Sequence, residues 1–424
     1  MSLKQGVMKV YITGMGAITP VGNTVEDSWN AILNGQHGID QVAAFDAVNY
    51  RTKLAAEITT DLVSYAKTLS SDIKINGVEE SAKLSVIATH MALENADLNE
   101  NELLANLNTG IVLGSGFGGI LFAEEPIKRI MATMPYQPKG AHPFTVPFVE
   151  PNFVVSLLSR IWNLQGIQYS VCTACSSGTH AIGQAMSLIK AGRADMIVTG
   201  GMEKTVAPIT YAGFDQLRAM STSTDKDNAS TPFSAERSGF ILGEGAATLI
   251  LESEASVEKR GVEPIAEVVG YGASGGAYHM VKPKPNGNDI IASMQSAIDD
   301  AGITIHDIGA INTHGTSTQL NDVTELAAIN HLFSEKEKPL IIAANKANIG
   351  HCVGAAGAIE AVFSAKTLST GVHAPLYNFQ TDENLDYSNI FIPNSRYEDN
   401  SINYLLSNSF GFGNNNSTLI LKKV

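Results

Sequence analysis

Short apolar runs alternate along this chain with longer stretches of helical period. The runs VYITGM (10–15), GIVLGS (110–115), MIVTGG (196–201) and AATLILE (246–252) are rich in β-branched residues and lead into Gly or Ser, which predicts buried strands. Between them, SAKLSVIATHMALENA (81–96) and GTHAIGQAMSLIKAG (178–192) carry apolar positions at helical spacing, which predicts amphipathic helices. Such alternation argues for an α/β fold with a central sheet covered by helices. Near residue 264 the pattern starts again. EPIAEVVGYGAS (263–274) reads as a strand, NDIIASMQSAIDDAG (288–302) as a helix, IGAINTHGTST (308–318) as a strand entering a loop, and KPLIIAAN (338–345) as another strand. No flexible linker divides the halves, and STSTDKDNAS (221–230) reads as a solvated loop.

The halves echo one another. QYSVCTA (168–174) runs into CSSGTHAIGQAM, and LIIAANKANIG (340–350) runs into HCVGAAGAIEAVFSAK. Each is a strand, a tight turn and a helix whose first turns are small residues, which permits close approach of another element.

Composition narrows the classes. The 424 residues imply roughly two to three domains' worth of chain. Charged residues are 17%, too few for a disordered chain. The net charge of −14 argues against nucleic-acid binding, which needs a basic footprint. Three cysteines do not make a disulfide framework. The opening residues lack a signal-peptide core, and no apolar run approaches the roughly 18 residues of a membrane span. A soluble, cytoplasmic protein with no membrane association is expected.

Candidate chemistry gathers at strand ends. Cys175, in VCTACSSGTH, stands where an apolar strand meets a helix start. Such an elbow exposes a nucleophile above the sheet, and the helix N-terminus favours a thiolate and a lowered pKa. The alternative is a small buried Cys. Cys172 and Cys175 form a lone C-x-x-C, but neither a redox dithiol nor a zinc site has the partners it needs. His314 in INTHGTST and His351 in NKANIGHCVGAAG sit on turns after strands, where α/β sites lie, with Lys346 five residues before the second. His180 reads as packing, and His37, His90, His306, His331 and His373 have no comparable context. GSGFGG (114–119) fits a dinucleotide fingerprint, yet no acidic residue follows about 20 residues on. GASGG (272–276) fits G-x-S-x-G without the small-residue helix of a hydrolase elbow. SNSFGFGNNN reads as a mobile loop presenting Phe410 and Phe412, or else as a tight bend between terminal strands.

Taken together, YITGMGAITPVG, VCTACSSGTHAIG, TPFSAERSGFILGEGA, INTHGTST, NKANIGHCVGAAGAIE and NSFGFGNNNSTLILKK resemble the elongating β-ketoacyl-[acyl-carrier-protein] synthases of the thiolase superfamily, over nearly the whole chain. The resemblance implies a thiolase-like fold. Two duplicated α/β halves, 1–263 with the nucleophile and 264–424 with the catalytic histidines, would pack in αβαβα layers. It implies Cys175 as acylated nucleophile, His314 and His351 as the pair supporting malonyl decarboxylation, Lys346 as the residue ordering the second histidine, and Glu325 as the acid near it. The N–H groups of Cys175 and Phe412 match an oxyanion hole, Phe412 a gate, and Thr316 and Thr318 the lining of the pantetheine arm, with Phe410 beside the substrate. Decarboxylation leaves an enolate that two imidazole donors would stabilise, so no metal or redox cofactor is called for.

Departures qualify the match. Asn414 and Asn415 replace the family's Gly-Thr after the gate, and Phe117 replaces a smaller aliphatic residue, which would shorten the acyl pocket. Asn321-Asp322 resembles the pair of type II polyketide ketosynthases. The resemblance therefore implies fatty-acid elongation, with the catalytic ketosynthase of a type II polyketide system as the alternative. A non-catalytic chain-length subunit is disfavoured by Cys175, His314 and His351. A degradative thiolase is disfavoured because that branch has a cysteine where His351 stands. The expected partners are an acyl carrier protein and a second subunit, as homodimer or as heterodimer with a chain-length-factor-like chain. The carrier is acidic, so Lys139 and Arg218 are candidate docking residues.

Overall fold

The computed structural model describes residues 8–98, 108–133 and 135–424. Among them are fifteen strands: β1 (Val10–Ile18), β2 (Ile39–Gln41), β3 (Leu54–Ala56), β4 (Thr109–Gly114), β5 (Gln168–Val171), β6 (Met196–Glu203), β7 (Gly245–Ser253), β8 (Ala266–Gly275), β9 (Ile308–Asn312), β10 (Leu340–Ala343), β11 (Val372–His373), β12 (Ile390–Phe391), β13 (Tyr397–Glu398), β14 (Tyr404–Gly411) and β15 (Asn415–Lys422). Eleven form one mixed sheet in the order β12-β10-β9-β14-β15-β8-β1-β7-β6-β4-β5.

That order is a mirror. Outward from the β1–β8 junction, one arm runs β1, β7, β6, β4, β5 and the other β8, β15, β14, β9, β10, with β12 added beyond β10 as an edge strand without a counterpart. In each arm the first two pairings are antiparallel and the next two parallel. The arms join through two residue pairs, Tyr11 with Glu267 and Ile12 with Ala266. The echo of QYSVCTA and LIIAANKANIG is thus spatial: β5 and β10 hold equivalent places, as do β4 and β9.

Helices complete the layers. Ser177–Lys190 and Ala356–Thr370 pack against each other and reach strands of both arms. Around them lies the largest apolar cluster, which includes Ile182, Met186, Ile359, Val362 and Phe363. Glu80–Asn95 covers β1, β7 and β6 on the outer side. Asn288–Ala301 and Gln319–Leu332 pack together on the other arm's outer side. The predicted helices therefore exist, but Glu80–Asn95 is not amphipathic. It buries Leu84, Ser85, Val86, Ile87, Ala88 and Thr89 in succession, because neighbouring helices cover the side turned away from the sheet.

Between the two central helices the approach is backbone to backbone. A Cβ at Gly178 would lie 2.9 Å from Ala358 N and 3.0 Å from Gly354 O. One at Gly357 would overlap the Thr179 hydroxyl, which donates a 2.7 Å hydrogen bond to Ser409 Oγ. Only small residues fit such a crossing. Among the described residues, no helix is long and apolar enough to cross a membrane.

Candidate active site

Functional side chains collect at the C-terminal ends of the parallel strands, where loops of an open α/β sheet meet. Cys175 follows β5 and precedes helix Ser177–Lys190. The turn is strained: Ala174 adopts φ +53°, a left-handed conformation costly for a residue with a Cβ. The two serines after Cys175 hold it. Ser176 Oγ donates to Thr173 O at 2.8 Å. Ser177 Oγ donates to Ala174 O at 2.6 Å and accepts from Thr173 N at 2.9 Å.

The expected lowering of the thiol pKa does not occur. Cys175 is 6% exposed, and burial pushes its thiol up to about 11. The charge of Lys346 and the N–H groups of Phe412 and of Cys175 itself favour the thiolate, but desolvation outweighs them. Cys172 is exposed and Cys352 buried, and all three cysteines are free.

His314 follows β9, on a loop gathered by two acids of the next helix. Its N–H donates to Glu325 Oε1 at 2.8 Å, and Gly315 N–H donates to Glu325 Oε2 at 2.9 Å. Thr316 N–H donates to Asp322 Oδ1 at 3.0 Å, and the Thr316 and Thr318 hydroxyls are 2.9 Å apart. Asp322 and Glu325 stand three apart, hence on one helix face, aimed at one loop. His351 follows β10 in the turn leading to helix Ala356–Thr370. Val353 N–H donates to His351 Nδ1 at 3.2 Å, so the neutral ring carries its proton on Nε2.

The two imidazoles meet edge to face, centroids 5.4 Å apart and planes at 84°. Burial holds both well below the ordinary histidine value, and the Lys346 charge pushes the same way. Both are neutral at pH 7. Lys346 is buried and ion-paired with Glu360, while Glu325 holds the backbone of the His314 loop.

Cys175, His314, His351, Thr316, Thr318, Phe410 and Phe412 line one cavity of ≈ 400 Å³. Exposed Arg218, the left-handed C-cap of helix Pro208–Leu217, is at its rim. Phe117 is not on its wall. It stands behind Phe214, edge-on with centroids 6.0 Å apart, within an apolar cluster that also holds Cys175, Phe240 and Phe412. Lys139 is exposed in the short turn Pro138–Gly140, apart from the cavity lining.

SNSFGFGNNN proves to be the hairpin end of β14 and β15, with Phe410 paired to Asn416 on the strands and Phe412 at the bend. Asn414, at φ +57°, anchors the bend to the neighbouring segment. Its Oδ1 accepts from His279 N at 3.3 Å and its Nδ2 donates to Lys282 O at 3.0 Å, while Gly413 N–H donates to Met280 O at 2.8 Å.

Sequence reasoning missed two acids. Glu360 lies in the apolar run GAIEAVF, where a lone acid on a core helix is the signal that it has a buried partner. Glu203, the last residue of β6, is fully buried, and Gly116, Phe117 and Gly354 all donate backbone N–H groups to it. Burial pushes its carboxyl up to about 8 against those three donors.

A nucleophile on a strained turn and two neutral imidazoles facing one cavity, with a buried lysine charge beside the imidazoles, suit acyl transfer to sulfur beside a donor pair for an oxyanion. Known proteins agree. Residues 8–256 match the β-ketoacyl synthase N-terminal domain and residues 265–380 its C-terminal domain. The chain is 37% identical over 417 residues to 3-oxoacyl-[acyl-carrier-protein] synthase 2 of Staphylococcus aureus, covering 98% of each. It is 36% identical to the protein of that name from Coxiella burnetii, covering 98% of this chain and 99% of the other. Among solved structures, the ishigamide ketosynthase/chain length factor aligns with a TM-score of 0.89 and 27% identity, covering 99% of this chain and all of that one. The chain belongs to the β-ketoacyl synthase family.

Proposed function

We propose that this protein is a 3-oxoacyl-[acyl-carrier-protein] synthase of fatty-acid elongation, a C–C bond-forming acyltransferase whose substrates arrive on the phosphopantetheine arm of acyl carrier protein. The observation that carries the reading is Cys175 sharing one cavity with two neutral histidines whose protonation is held by burial and Lys346.

Cys175 takes the acyl group. Its sulfur forms the new thioester as the carrier's sulfur leaves, with the N–H groups of Cys175 and Phe412 at the developing oxyanion. Malonyl bound next loses carbon dioxide, and its electron pair becomes an enolate. His351 Nε2–H and His314 donate to that enolate oxygen. Neutral imidazoles suit this role, because each supplies a donor without handing over a proton. The enolate carbon attacks the acyl carbon on Cys175, the bond from that carbon to the Cys175 sulfur breaks, the freed sulfur takes up a proton, and the product, two carbons longer, stays on the carrier. Lys346 and Glu325 act through the histidines as positioning residues, Thr316 and Thr318 line the arm, and Phe412 gates the cavity beside Phe410. Removing one oxyanion donor typically costs about 10²–10³ in rate.

Chain length is set at the aromatic end of the cavity. Phe117, Phe214, Phe240 and Phe412 form one cluster behind Cys175, so short acyl groups fit best. This feature and Asn321-Asp322 favour the second reading, a type II polyketide ketosynthase working with a chain-length-factor partner. The chain divides at 263/264, in keeping with the mirrored arms. A second subunit, identical or chain-length-factor-like, would cover the edge strand β5. Arg218 at the cavity rim and Lys139 would meet the acidic carrier. The setting would be cytoplasmic, in line with three free cysteines.

Intact-protein mass spectrometry tests the proposal with acetyl to palmitoyl groups on carrier protein and Cys175→Ala as control. A Cys175-dependent adduct followed by malonyl-dependent extension is expected, and a short preferred length would favour the polyketide reading. No adduct at any length would remove the enzyme reading.

A further inference from the structure

Glu203 is a fully buried acid that the proposed chemistry does not use. It ends β6, beside β4, and Gly114 pairs with Gly201 at the strand ends. Two loops that carry site residues converge on its carboxylate. From the loop after β4, Gly116 N–H donates to Oε2 at 2.7 Å and Phe117 N–H to Oε1 at 3.3 Å. From the turn after His351, Gly354 N–H donates to Oε2 at 3.0 Å. The loops touch only because both carry glycine. A Cβ at Gly116 would lie 2.8 Å from Glu203 Oε2 and 2.9 Å from Val353 Cγ1, and one at Gly354 would lie 2.7 Å from that oxygen. Val353, between His351 and Gly354, is itself strained at φ +42°.

One carboxylate oxygen therefore ties the backbone that places Phe117, behind the acyl end of the cavity, to the backbone that places His351, at the reacting end. The Phe117 ring reaches the cavity through Phe214, so a shift of the 116–117 backbone moves the wall an acyl chain must pass.

We propose that Glu203 is a specificity-positioning residue. By holding Gly116, Phe117 and Gly354 on one carboxyl group, it fixes the depth of the acyl pocket and keeps that wall in register with the His351 turn. The proposal rests on the acyl-transfer reading above.

Glu203→Gln tests it, since glutamine keeps the shape and one acceptor oxygen but cannot accept on both sides. The readout is the ratio of octanoyl to acetyl adduct on Cys175 with carrier-bound donors, a quantity insensitive to overall rate. We expect that ratio to rise about tenfold, the loss of one buried hydrogen bond. Phe117→Ala should raise it similarly, and the double variant should add little more, because both changes act on one wall. An unchanged ratio in Glu203→Gln, or fully additive effects in the double variant, would overturn the inference. Wild-type protein lacking any Cys175 adduct would instead remove the acyl-transfer reading, and this inference with it. Hydrogen exchange on the wild type keeps the proposal testable if Glu203→Gln does not fold. The Gly116 and Gly354 amides, sharing one acceptor, should open with the same protection, and clearly different protection would count against a shared tie.

Discussion

Lys346→Met separates what the buried ion pair does for the fold from what it does for the chemistry. Lys346 and Glu360 are both about 1% exposed and pair with each other. Methionine fills the volume and removes the charge, leaving Glu360 buried without its cation. Breaking such a pair from one side costs about 3–5 kcal/mol. A 424-residue chain unfolding as one unit has an unfolding entropy of about 0.9 kcal/mol/K, so the melting temperature should fall by about 3–6 °C. Replacing both partners by apolar residues of similar volume is often neutral in stability. Lys346→Met/Glu360→Leu should therefore recover most of the lost melting temperature. It should not recover malonyl decarboxylation, because the Lys346 charge beside His314 and His351 stays absent. Scanning calorimetry and carbon dioxide release measure the two quantities on the same samples. A double variant that regains activity together with stability would refute the reasoning, since the pair would then be a structural prop alone. A single variant that melts like the wild type would refute the burial argument.

Three further outcomes follow from the site. His314 and His351 have folded pKa values well below the unfolded 6.5, so the unfolded chain binds more protons below that pH. Their contribution to stability is full above pH 6.5 and shrinks as the pH falls, by at most about 1.4 kcal/mol per pH unit for each ring, and denaturant titrations between pH 5 and 7 should show that slope. With the Cys175 thiol near 11, its thiolate fraction at pH 7 is on the order of 10⁻⁴ before substrate binds. Iodoacetamide alkylation of the free enzyme should keep rising through pH 10, and a plateau near pH 7 would contradict the burial argument. Asn414→Gly relieves a left-handed residue but removes its bonds to His279 and Lys282. Faster hydrogen exchange at Phe412 and Gly413 is expected, and unchanged exchange would show that the side chain does not restrain the bend.

Sequence made the nucleophile and both histidines legible because each stands on a turn flanked by Gly, Ser or Thr, after an apolar strand. Those signals are local, and the turns that hold the residues are local too. Glu203 and Glu360 were hidden for the opposite reason. Each sits inside an apolar segment that reads as core, and the groups Glu203 binds lie 87, 86 and 151 residues away. A helix N-terminus is a local feature and predicts a lowered Cys175 pKa, whereas the burial that overrides it is built from parts distant in sequence, with Val206, Phe214, Phe240 and Val353 in the same apolar cluster. Helix Glu80–Asn95 reads as one-sided because its own period does not show that helices Leu62–Leu69 and Phe153–Trp162 pack on it as well as the sheet. The mirrored strand order, by contrast, was foreshadowed by two short echoing segments.

The glycine-lined crossing of helices Ser177–Lys190 and Ala356–Thr370 makes the core a ruler for the chemistry. Cys175 and His351 stand just ahead of these two helices, so the spacing between sulfur and imidazole is set where the helix backbones touch. A methyl group added at Gly357 would push on the Thr179–Ser409 bond and lever the heads of both helices apart. Such a change would register as a slower condensation in a protein that still melts cooperatively. Substitutions around the cavity mouth leave that gauge untouched, so the range of substrates can drift while the reacting distance stays constant.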